Sequence, residues 1–430
     1  MKISGIIVEY NPLHNGHLFH INKTKELTNS DLVIAVMSGN FNQRGIPSII
    51  DKWTKTKLAL ENGVDIVFEL PAVYALSSAE FFSHGAVSLL NSLGVVDSIC
   101  FGSEAGDITL LETISEVLVH EPEKYKQLLK NELNKGLLFP KARSLALIEY
   151  LNTKTNYDRN YLSEQLNSSN NILGIEYIKS LKRLNSSIKP YTIKRLGGSY
   201  NSKDLNNIFS SATSIRKALN NNEDILNLKH HVPESVLQEL LTLEKNNYTF
   251  TFENMMYPYI KYKALSSRHN LFGNLPDASE GLHNKLLSAL ENSTSYNECI
   301  SAAKSKRYTY TRISRILCQY YLDFQHYDII NMRKAPCPYA RILGFTATGA
   351  TALKPIKDNC SIPLYSKLPK DTTPTLNLDL QCTRSYSILN PSIRFNEDRL
   401  RSPIIRWHWE FSTINGAFKN TSLIYLDKFK

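Results

Sequence analysis

Residues 3–17, ISGIIVEYNPLHNGH, are the stretch that decides the fold of this chain. The first six residues are the short apolar run that is typical of a buried parallel strand. A turn that contains Gly16 and two histidines follows, and a helical pattern begins at Leu18. This order puts both imidazoles near a helix N-terminus, where backbone N–H groups favour anions. The stretch therefore predicts a site for a nucleoside triphosphate.

The same alternation of strand and helix continues along the first half of the chain. Further apolar runs, each ended by a Gly, Ser or Pro signal, predict strands at residues 31–37, 65–69, 95–101 and 188–195. Helical patterns lie between them at 52–62 and 78–93. Repeated β-α units predict an α/β fold with a Rossmann-like, doubly wound parallel sheet and right-handed crossovers. Ligands of such sheets bind beyond the C-terminal ends of the strands, here loops 9–17, 38–46, 70–78 and 102–106.

Three regions are expected in a chain of 430 residues. Residues 1–222 hold the β-α units and form the predicted ATP-binding catalytic domain. Residues 223–329 are rich in helical patterns. Residues 330–430 mix short β-like segments with Pro, Ser and Asn and predict a smaller mixed α/β region.

The net charge of +10 is concentrated in the last third of the chain. Residues 1–300 hold 30 Lys and Arg against 31 Asp and Glu, a net of −1, whereas residues 301–430 hold 20 against 9, a net of +11. An anionic partner is therefore expected on the C-terminal part.

Composition excludes several classes of protein. Six cysteines occur without a C-x-x-C pair, which argues against a structural zinc site and a disulfide framework. No apolar stretch approaches the length of about 18 residues that spans a bilayer. We therefore expect a soluble, cytoplasmic protein without a membrane partner. No serine or cysteine has the surroundings of a catalytic nucleophile.

The histidine motif has an ordinary alternative, in which two imidazoles only cap the helix. Its position at the first β-α crossover favours phosphate binding, because nucleotidyl transfer needs donors around the α-phosphate as charge develops there. A second motif, Ser211-Ala-Thr-Ser-Ile-Arg216, offers hydroxyls and an arginine at a helix start. It suits a second phosphate clamp, but a cap with a surface arginine explains it equally well in isolation.

A basic segment with interleaved tyrosines lies near residue 310. Ile313, Ile316, Leu317 and Tyr320 form an apolar helix stripe, and the basic residues are expected on another face. Phosphate contacts and base stacking on tyrosines suit RNA, and a solvated helix face is the ordinary alternative. The residues predicted to bind RNA are Lys304, Arg307, Arg312 and Arg315. The tail adds the basic and aromatic residues Arg394, Arg399, Arg401, Arg406, Trp407 and Trp409.

Together these motifs resemble the nucleotidyltransferase superfamily with H-x-G-H, and more closely the bacterial tRNA(Met) cytidine acetate ligases. The resemblance is carried by residues 5–18, Val36–Gly45, Phe68–Pro71, Cys100–Glu104, Asn170–Gly174 and Ser211–Arg216. It implies a two-step ligase: ATP and acetate give acetyladenylate and pyrophosphate, and the acetyl group passes to the wobble cytidine of elongator tRNA(Met). It implies ATP, acetate and tRNA as partners, with the basic C-terminal region, residues 330–430, as the tRNA-binding region. Mg²⁺ is expected on the phosphates, and no DNA partner is expected.

The resemblance also implies site residues. The expected ATP-binding residues are Ile7, Val8, Glu9, Tyr10, Asn11, Pro12, Leu13, His14, Asn15, Gly16, His17, Leu18, Phe19, His20, Gly102, Asn170, Arg195, Ser211 and Thr213, with Asn171 as an alternative to Asn170. His14 and His17 are expected to stabilise the α-phosphate, and Arg216 to hold the β- and γ-phosphates with Ser211 and Thr213. No protein-held metal is expected. Tyr10, Phe41 and Gln43 are candidates for the acetate pocket by position alone.

Two other functions stay open at this stage. One is a small-molecule adenylyl- or cytidylyltransferase with the same first domain, against which the basic tail argues. The other is a non-catalytic RNA-binding protein on the same fold, against which the intact motifs argue.

Overall fold

An eight-stranded sheet lies at the centre of the computed structural model, which describes residues 1–195, 211–267 and 269–406. A separate two-stranded hairpin follows the second strand. The strands are β1 Ile3–Val8, β2 Leu32–Ser38, β3 Phe41–Asn42, β4 Ile46–Pro47, β5 Ile66–Leu70, β6 Ser98–Ser103, β7 Lys189–Lys194, β8 Ala340–Thr346, β9 Leu364–Tyr365 and β10 Ile404–Arg406.

Helices cover both faces of the sheet and fill the region before β8. The α-helices are α1 Asn15–Thr28, α2 Lys52–Glu61, α3 Ala72–Ala75, α4 Ala79–Ser92, α5 Ile108–His120, α6 Glu123–Asn134, α7 Phe139–Asn152, α8 Arg159–Asn167, α9 Ser169–Arg183, α10 Ala212–Asn220, α11 Glu234–Lys245, α12 Tyr257–Ser266, α13 Leu282–Asn292, α14 Tyr296–Ala303, α15 Tyr310–Tyr321, α16 Ile329–Lys334, α17 Ala347–Asn359, α18 Pro374–Leu389 and α19 Glu397–Leu400. Short 3₁₀ helices lie at Ile225–Leu228, Glu253–Met256, Leu271–Asn274, Pro276–Ala278 and Phe324–His326.

The strand order confirms the predicted α/β fold. It is β10-β8-β5-β2-β1-β6-β7, with β9 beside β8. All pairs in this sheet are parallel except β5 with β8. The chain reverses its direction of travel across the sheet between β1 and β6, so the C-terminal end of β1 is a switch point where such sheets bind ligands.

The central strands are buried on both faces. Along β2, Ile34 and Val36 pack into one apolar cluster while Ala35 and Met37 pack into the other. Burying each large aliphatic side chain stabilises the fold by roughly 1.5–3 kcal/mol. This two-sided burial explains why the strand appears in the sequence as a continuous apolar run.

The C-terminal part extends the sheet of the N-terminal part. β8 pairs antiparallel with β5, and β10 pairs parallel with β8, so the edge of β5 is covered. Four buried charges join the two parts in an alternating ring. Lys52 lies 2.6 Å from Glu69 and 2.7 Å from Asp398, and Arg341 lies 2.9 Å and 3.0 Å from the same carboxylates. The division at residue 330 stays a prediction, and its third region shares a sheet with the first.

Within the described ranges, no helix has the length and apolar character needed to cross a membrane.

Candidate active site

Two histidines form a capped, stacked pair where β1 ends and α1 begins. The His14 ring accepts a hydrogen bond from the Gly16 backbone N–H (3.1 Å), and the His17 ring accepts one from the His14 backbone N–H (3.2 Å). The two rings stack with centroids 3.7 Å apart, and Tyr10 meets His17 edge-on at 5.0 Å. The capping function of the histidines, which was the ordinary alternative, is therefore present, and it orients both rings.

The same bonds decide which nitrogen carries the proton. Each ring accepts at Nδ1, so a neutral imidazole carries its proton on Nε2. Burial lowers the pKa of His14 to about 3, with a smaller effect of the Arg195 charge, and burial also lowers the pKa of His17 well below its ordinary value. Both rings are neutral near pH 7 and can donate from Nε2 to an oxygen of a phosphate.

Arg195 faces the histidines from the end of β7. Its charge contributes to the lowered pKa of His14, His17 and His20, in each case less than burial does. A Cβ at Gly102 would lie 3.3 Å from the Arg195 Cγ, so the glycine leaves room for the arginine stem. Strand β6 and strand β7 thus bring together two residues that are 93 positions apart.

The structure distinguishes the two candidate asparagines. Asn170 accepts a hydrogen bond from Arg195 (3.4 Å) and donates to Glu104 (2.7 Å). Asn171 is fully buried and its side chain bonds the backbone N–H groups of Glu104 and Ala105. Asn170 therefore borders the histidine site, whereas Asn171 supports the loop beneath it.

The loop after β1 is held by a buried lysine that the sequence analysis did not single out. The Lys55 ammonium lies within 2.9 Å of the backbone oxygens of Glu9, Ser38 and Gly39 and of the Ser48 hydroxyl. Burial lowers the pKa of Lys55 to about 7, although Glu9 opposes this shift. The only sequence signal is that Lys55 shares a helix face with buried apolar residues of α2, and such a signal does not reveal its partners.

Glu9 lies in the same loop and connects it to the hairpin β3–β4. Its carboxylate accepts a hydrogen bond from the Gln43 backbone N–H at 2.6 Å. Burial raises the pKa of Glu9, while Gln43 and the charge of Lys55 oppose the shift. Phe41 packs edge-on against Tyr386 in the apolar core, and its role and that of Gln43 in an acetate pocket stay predictions.

The second predicted clamp is built differently from the expectation. The Ser211 hydroxyl caps α10 by accepting from the Ser214 N–H at 3.2 Å, and Thr213 is half-buried in the first turn. Arg216 is buried and donates to the Asn11 side chain (2.9 Å), the Pro47 carbonyl (3.1 Å) and Glu253 (2.6 Å). Its guanidinium therefore anchors the loop before His14, and a direct role at the β- and γ-phosphates stays a prediction. Gly197-Gly198, which precede this motif, lie outside the described residues.

The predicted RNA-binding residues do not share one open helix face. Helix α15 starts at Tyr310, because the Thr309 hydroxyl caps it, so Lys304 and Arg307 lie exposed in the preceding loop. Arg307 pairs with Glu280 at 3.0 Å. Arg312 donates to the Asp277 carbonyl, and Arg315 is turned inward and half-buried. We expected Lys304, Arg307 and Arg315 to share one face of a helix, and this was wrong. Lys304 and Arg307 precede the first residue of α15, so helical spacing does not relate them to Arg315.

The tail is only partly described. Arg394, Arg399, Arg401 and Arg406 are exposed, whereas Trp407 and Trp409 lie outside the described residues. Over the described ranges, no group of three His, Cys, Asp or Glu side chains could hold a metal ion, and all six cysteines are free.

A parallel sheet with paired imidazoles at its first crossover defines an α/β nucleotidyltransferase of the H-x-G-H class, and the family described as HIGH Nucleotidyl Transferase matches residues 1–400. The chain is 55% identical over 405 residues to the tRNA(Met) cytidine acetate ligase of Clostridium kluyveri, which covers 94% of this chain and 99% of the relative. It is 52% identical to that of Clostridium novyi, over 94% and 99% of the two chains. The chain belongs to the tRNA(Met) cytidine acetate ligase family within the HIGH nucleotidyl transferases.

Solved structures agree with this assignment. The apo crystal structure of Thermotoga maritima TmcAL matches with a TM-score of 0.89 and 33% identity, over 95% of this chain and 100% of that chain. TmcAL bound with alpha-thio ATP matches with a TM-score of 0.86, the same identity and the same coverage.

The burial of His20 leads to a prediction about stability and pH. Burial lowers its pKa to about 4, although the carbonyl of Cys100 at 3.2 Å opposes the shift. In the unfolded chain this histidine has a pKa of about 6.5, so between pH 6.5 and 4 the unfolded state binds more protons than the folded state. The free energy of unfolding therefore decreases as the pH falls from 6.5 toward 4. Between pH 8 and pH 5 the loss of unfolding free energy that His20 contributes is about 2 kcal/mol, in addition to the losses of the same sign that His14 and His17 contribute.

Urea unfolding of His20→Gln at both pH values measures this loss. The variant should lose about 2 kcal/mol less than the wild type, because glutamine does not titrate. Replacement of the exposed His326 by glutamine is the matched control and should follow the wild type. Equal losses in His20→Gln and the wild type would contradict the prediction.

Proposed function

We propose that this chain activates acetate with ATP and transfers the acetyl group to the wobble cytidine of elongator tRNA(Met), giving N4-acetylcytidine. The observation that carries the proposal is the stacked, neutral pair His14 and His17 at the N-terminus of α1. The relatives that bear this name cover nearly the whole chain, and a bound ATP analogue is present in a structural neighbour.

The first step is an attack of an acetate oxygen on the α-phosphorus of ATP. The new P–O bond forms as the bond to pyrophosphate breaks, and negative charge grows on the α-phosphate oxygens. The Nε2–H groups of His14 and His17 and the guanidinium of Arg195 are the donors that meet this charge. Gly102 and Asn170 support Arg195, and Mg²⁺ travels with the phosphates.

The second step transfers the acetyl group to the cytidine N4 amine. This amine is a weak nucleophile, because its lone pair is delocalised into the ring, so it needs the good leaving group that AMP provides. N4 forms a bond to the acetyl carbon, the bond to AMP breaks, and N4 loses a proton. The reaction therefore needs no covalent intermediate with the protein. A tRNA substrate also implies a cytoplasmic location.

Nucleoside mass spectrometry tests the proposal. Elongator tRNA(Met) is incubated with ATP, acetate and the protein, then digested, and N4-acetylcytidine is expected only when all components are present. The matched control is the same tRNA with uridine at the wobble position. Pyrophosphate exchange that requires a phosphorylated metabolite instead of acetate would favour a small-molecule nucleotidyltransferase, and no exchange at all would favour a non-catalytic RNA-binding protein.

The exposed Arg307 leads to a prediction about the tRNA step. Arg307→Glu reverses a charge in the loop before α15 and places it beside Glu280. We expect weaker tRNA binding by about tenfold, with acetate-dependent ATP–pyrophosphate exchange retained, because exchange needs no tRNA. Filter binding measures the first quantity, and Arg159→Glu, in a different part of the fold, is the control. Equal loss of exchange and tRNA binding would contradict the separation of the two steps.

A further inference from the structure

Three arginines, one on α16 and two on α15, lie around Asp277, and one of them pairs directly with its carboxylate. Arg333 donates to the Asp277 carboxylate at 3.0 Å, and Arg312 donates to the Asp277 backbone carbonyl at 2.9 Å. Arg315 lies one turn along α15 from Arg312, and its charge interacts with those of Asp277, Arg312 and Arg333. We name Arg312, Arg315, Arg333 and Asp277 the arginine cluster.

The charge of the arginine cluster is not balanced. The charged groups that act on Arg315 in the described part of the chain are Asp277, Arg312 and Arg333. Glu280 pairs directly with Arg307 at 3.0 Å, and its charge also acts on Arg312, so two carboxylates face the four arginines Arg307, Arg312, Arg315 and Arg333. The buried ring of Lys52, Glu69, Arg341 and Asp398 is different, because it matches two cations with two carboxylates. A structural ion network is costly to bury unless its charges are paired, so the surplus here indicates that an anion completes the cluster.

The donors of the cluster are fixed in place yet incompletely used. Arg333 lies with its guanidinium 4.2 Å above the Phe81 ring, and Arg312 lies 5.5 Å above Tyr308. In the described ranges, the Nε atoms of Arg315 and Arg333 and one Asp277 oxygen are buried without a hydrogen-bond partner. Arg333 is itself only 9% exposed. Aromatic contacts therefore hold the guanidinium groups of Arg312 and Arg333, while the Nε atoms of Arg315 and Arg333 keep unused donor capacity.

The hairpin β3–β4 connects this cluster to the active-site loop. A Cβ on Gly45 would collide with the Arg315 backbone nitrogen, and the Ser314 hydroxyl donates to the Gly45 carbonyl at 3.1 Å. Two residues earlier in the chain, Gln43 donates to Glu9 beside the histidine loop. The hairpin thus links the backbone of α15 at the arginine cluster to Glu9, in the loop that leads to the two histidines.

We propose that Arg312, Arg315 and Arg333 bind a backbone phosphate of the RNA substrate beside the nucleotide that is acetylated. The proposal rests on the proposed function, since it names where that substrate is held. A base that enters an active site from a single-stranded loop leaves its phosphates outside, and forked guanidinium groups match phosphate oxygens. Asp277 holds the arginines together when no RNA is bound and competes with the phosphate.

Two variants test the site: one removes a positive charge from the cluster, and the other removes its negative charge. Arg315→Met should weaken binding of elongator tRNA(Met) by about ten- to a hundredfold and lower the salt slope of log K by about 0.7–0.9 for one lost phosphate contact. Asp277→Asn keeps the shape of the cluster and removes the competing charge, so it should tighten tRNA binding and raise the slope. Filter binding at several KCl concentrations measures both, and Arg159→Met is the control for a lost surface charge.

Each outcome has a distinct meaning. Unchanged affinity and slope in both variants would overturn the site. Weakening by Asp277→Asn as large as that by Arg315→Met would also overturn it, because a purely structural cluster loses from either change. If either of these overturning results is found while the wild type forms N4-acetylcytidine, the phosphate site is wrong and the proposed function stands. If the wild type binds no tRNA, the proposed function itself is wrong.

Discussion

His17→Asn is expected to lower acetate-dependent ATP–pyrophosphate exchange by about 10²–10³-fold. The asparagine side chain keeps an oxygen near the Nδ1 position, so it can still accept the His14 backbone N–H. It removes the Nε2–H, which is the donor that we assign to the α-phosphate. The loss should therefore fall on the rate of adenylate formation rather than on the fold.

A companion variant separates the two roles of the ring. His17→Gln places an amide near the Nε2 position and loses the cap acceptor, so it should retain more exchange than His17→Asn. The exposed His326→Gln should leave exchange unchanged. Supplied with synthetic acetyladenylate, His17→Asn should still acetylate tRNA. Wild-type exchange rates in His17→Asn would refute the assigned role of this histidine.

Lys55→Met is expected to destabilise the protein by about 3–5 kcal/mol. Lys55 is only 1% exposed, and its ammonium donates hydrogen bonds to three backbone oxygens and one hydroxyl. Methionine fills the volume but leaves these acceptors buried without a donor, and it removes the charge that acts on Glu9. The loss is a large part of the 5–15 kcal/mol that is typical of a folded domain, roughly speaking.

The neighbouring Lys57 provides the matched control. It lies on the same helix, two residues along, but its side chain is 37% exposed and pairs with Glu239 at 2.5 Å. Lys57→Met should change the unfolding free energy by about 1 kcal/mol or less. Urea unfolding of both variants at one pH compares them. Similar midpoints for the two variants would show that Lys55 does not hold the loops together.

Local sequence pattern was sufficient where burial itself produces the pattern. The strand predicted at 65–69 is β5, Ile66–Leu70, and the helix predicted at 78–93 is α4, Ala79–Ser92. These segments are visible because a strand buried on both faces must be apolar throughout, whereas a helix on the sheet is apolar on one stripe. The stripe of Ile313, Ile316 and Leu317 is buried as the same reasoning predicts.

Long-range partners were not visible in that pattern. Arg216 lies near the start of a helix, a position that suits a phosphate, yet its guanidinium donates hydrogen bonds to Glu253 and Asn11. Arg315 belongs to a basic segment, but the close approach of Gly45 turns that part of α15 inward. The spacing of residues along the chain does not identify Glu253, Asn11 or Gly45 as partners, since each lies tens to hundreds of residues from the arginine that it contacts.

The sequence by itself determined the first crossover, with its strand, its Gly-containing turn and the two histidines, because these features depend on neighbours within about one turn of helix. Only the tertiary structure decided that β8 pairs antiparallel with β5, that Lys55 fixes the loop at Glu9, and that Arg333 joins Arg312 and Arg315. Buried charges and edge strands pair with the groups that the fold places beside them. The separation of two residues along the chain does not indicate whether they are close in the folded protein.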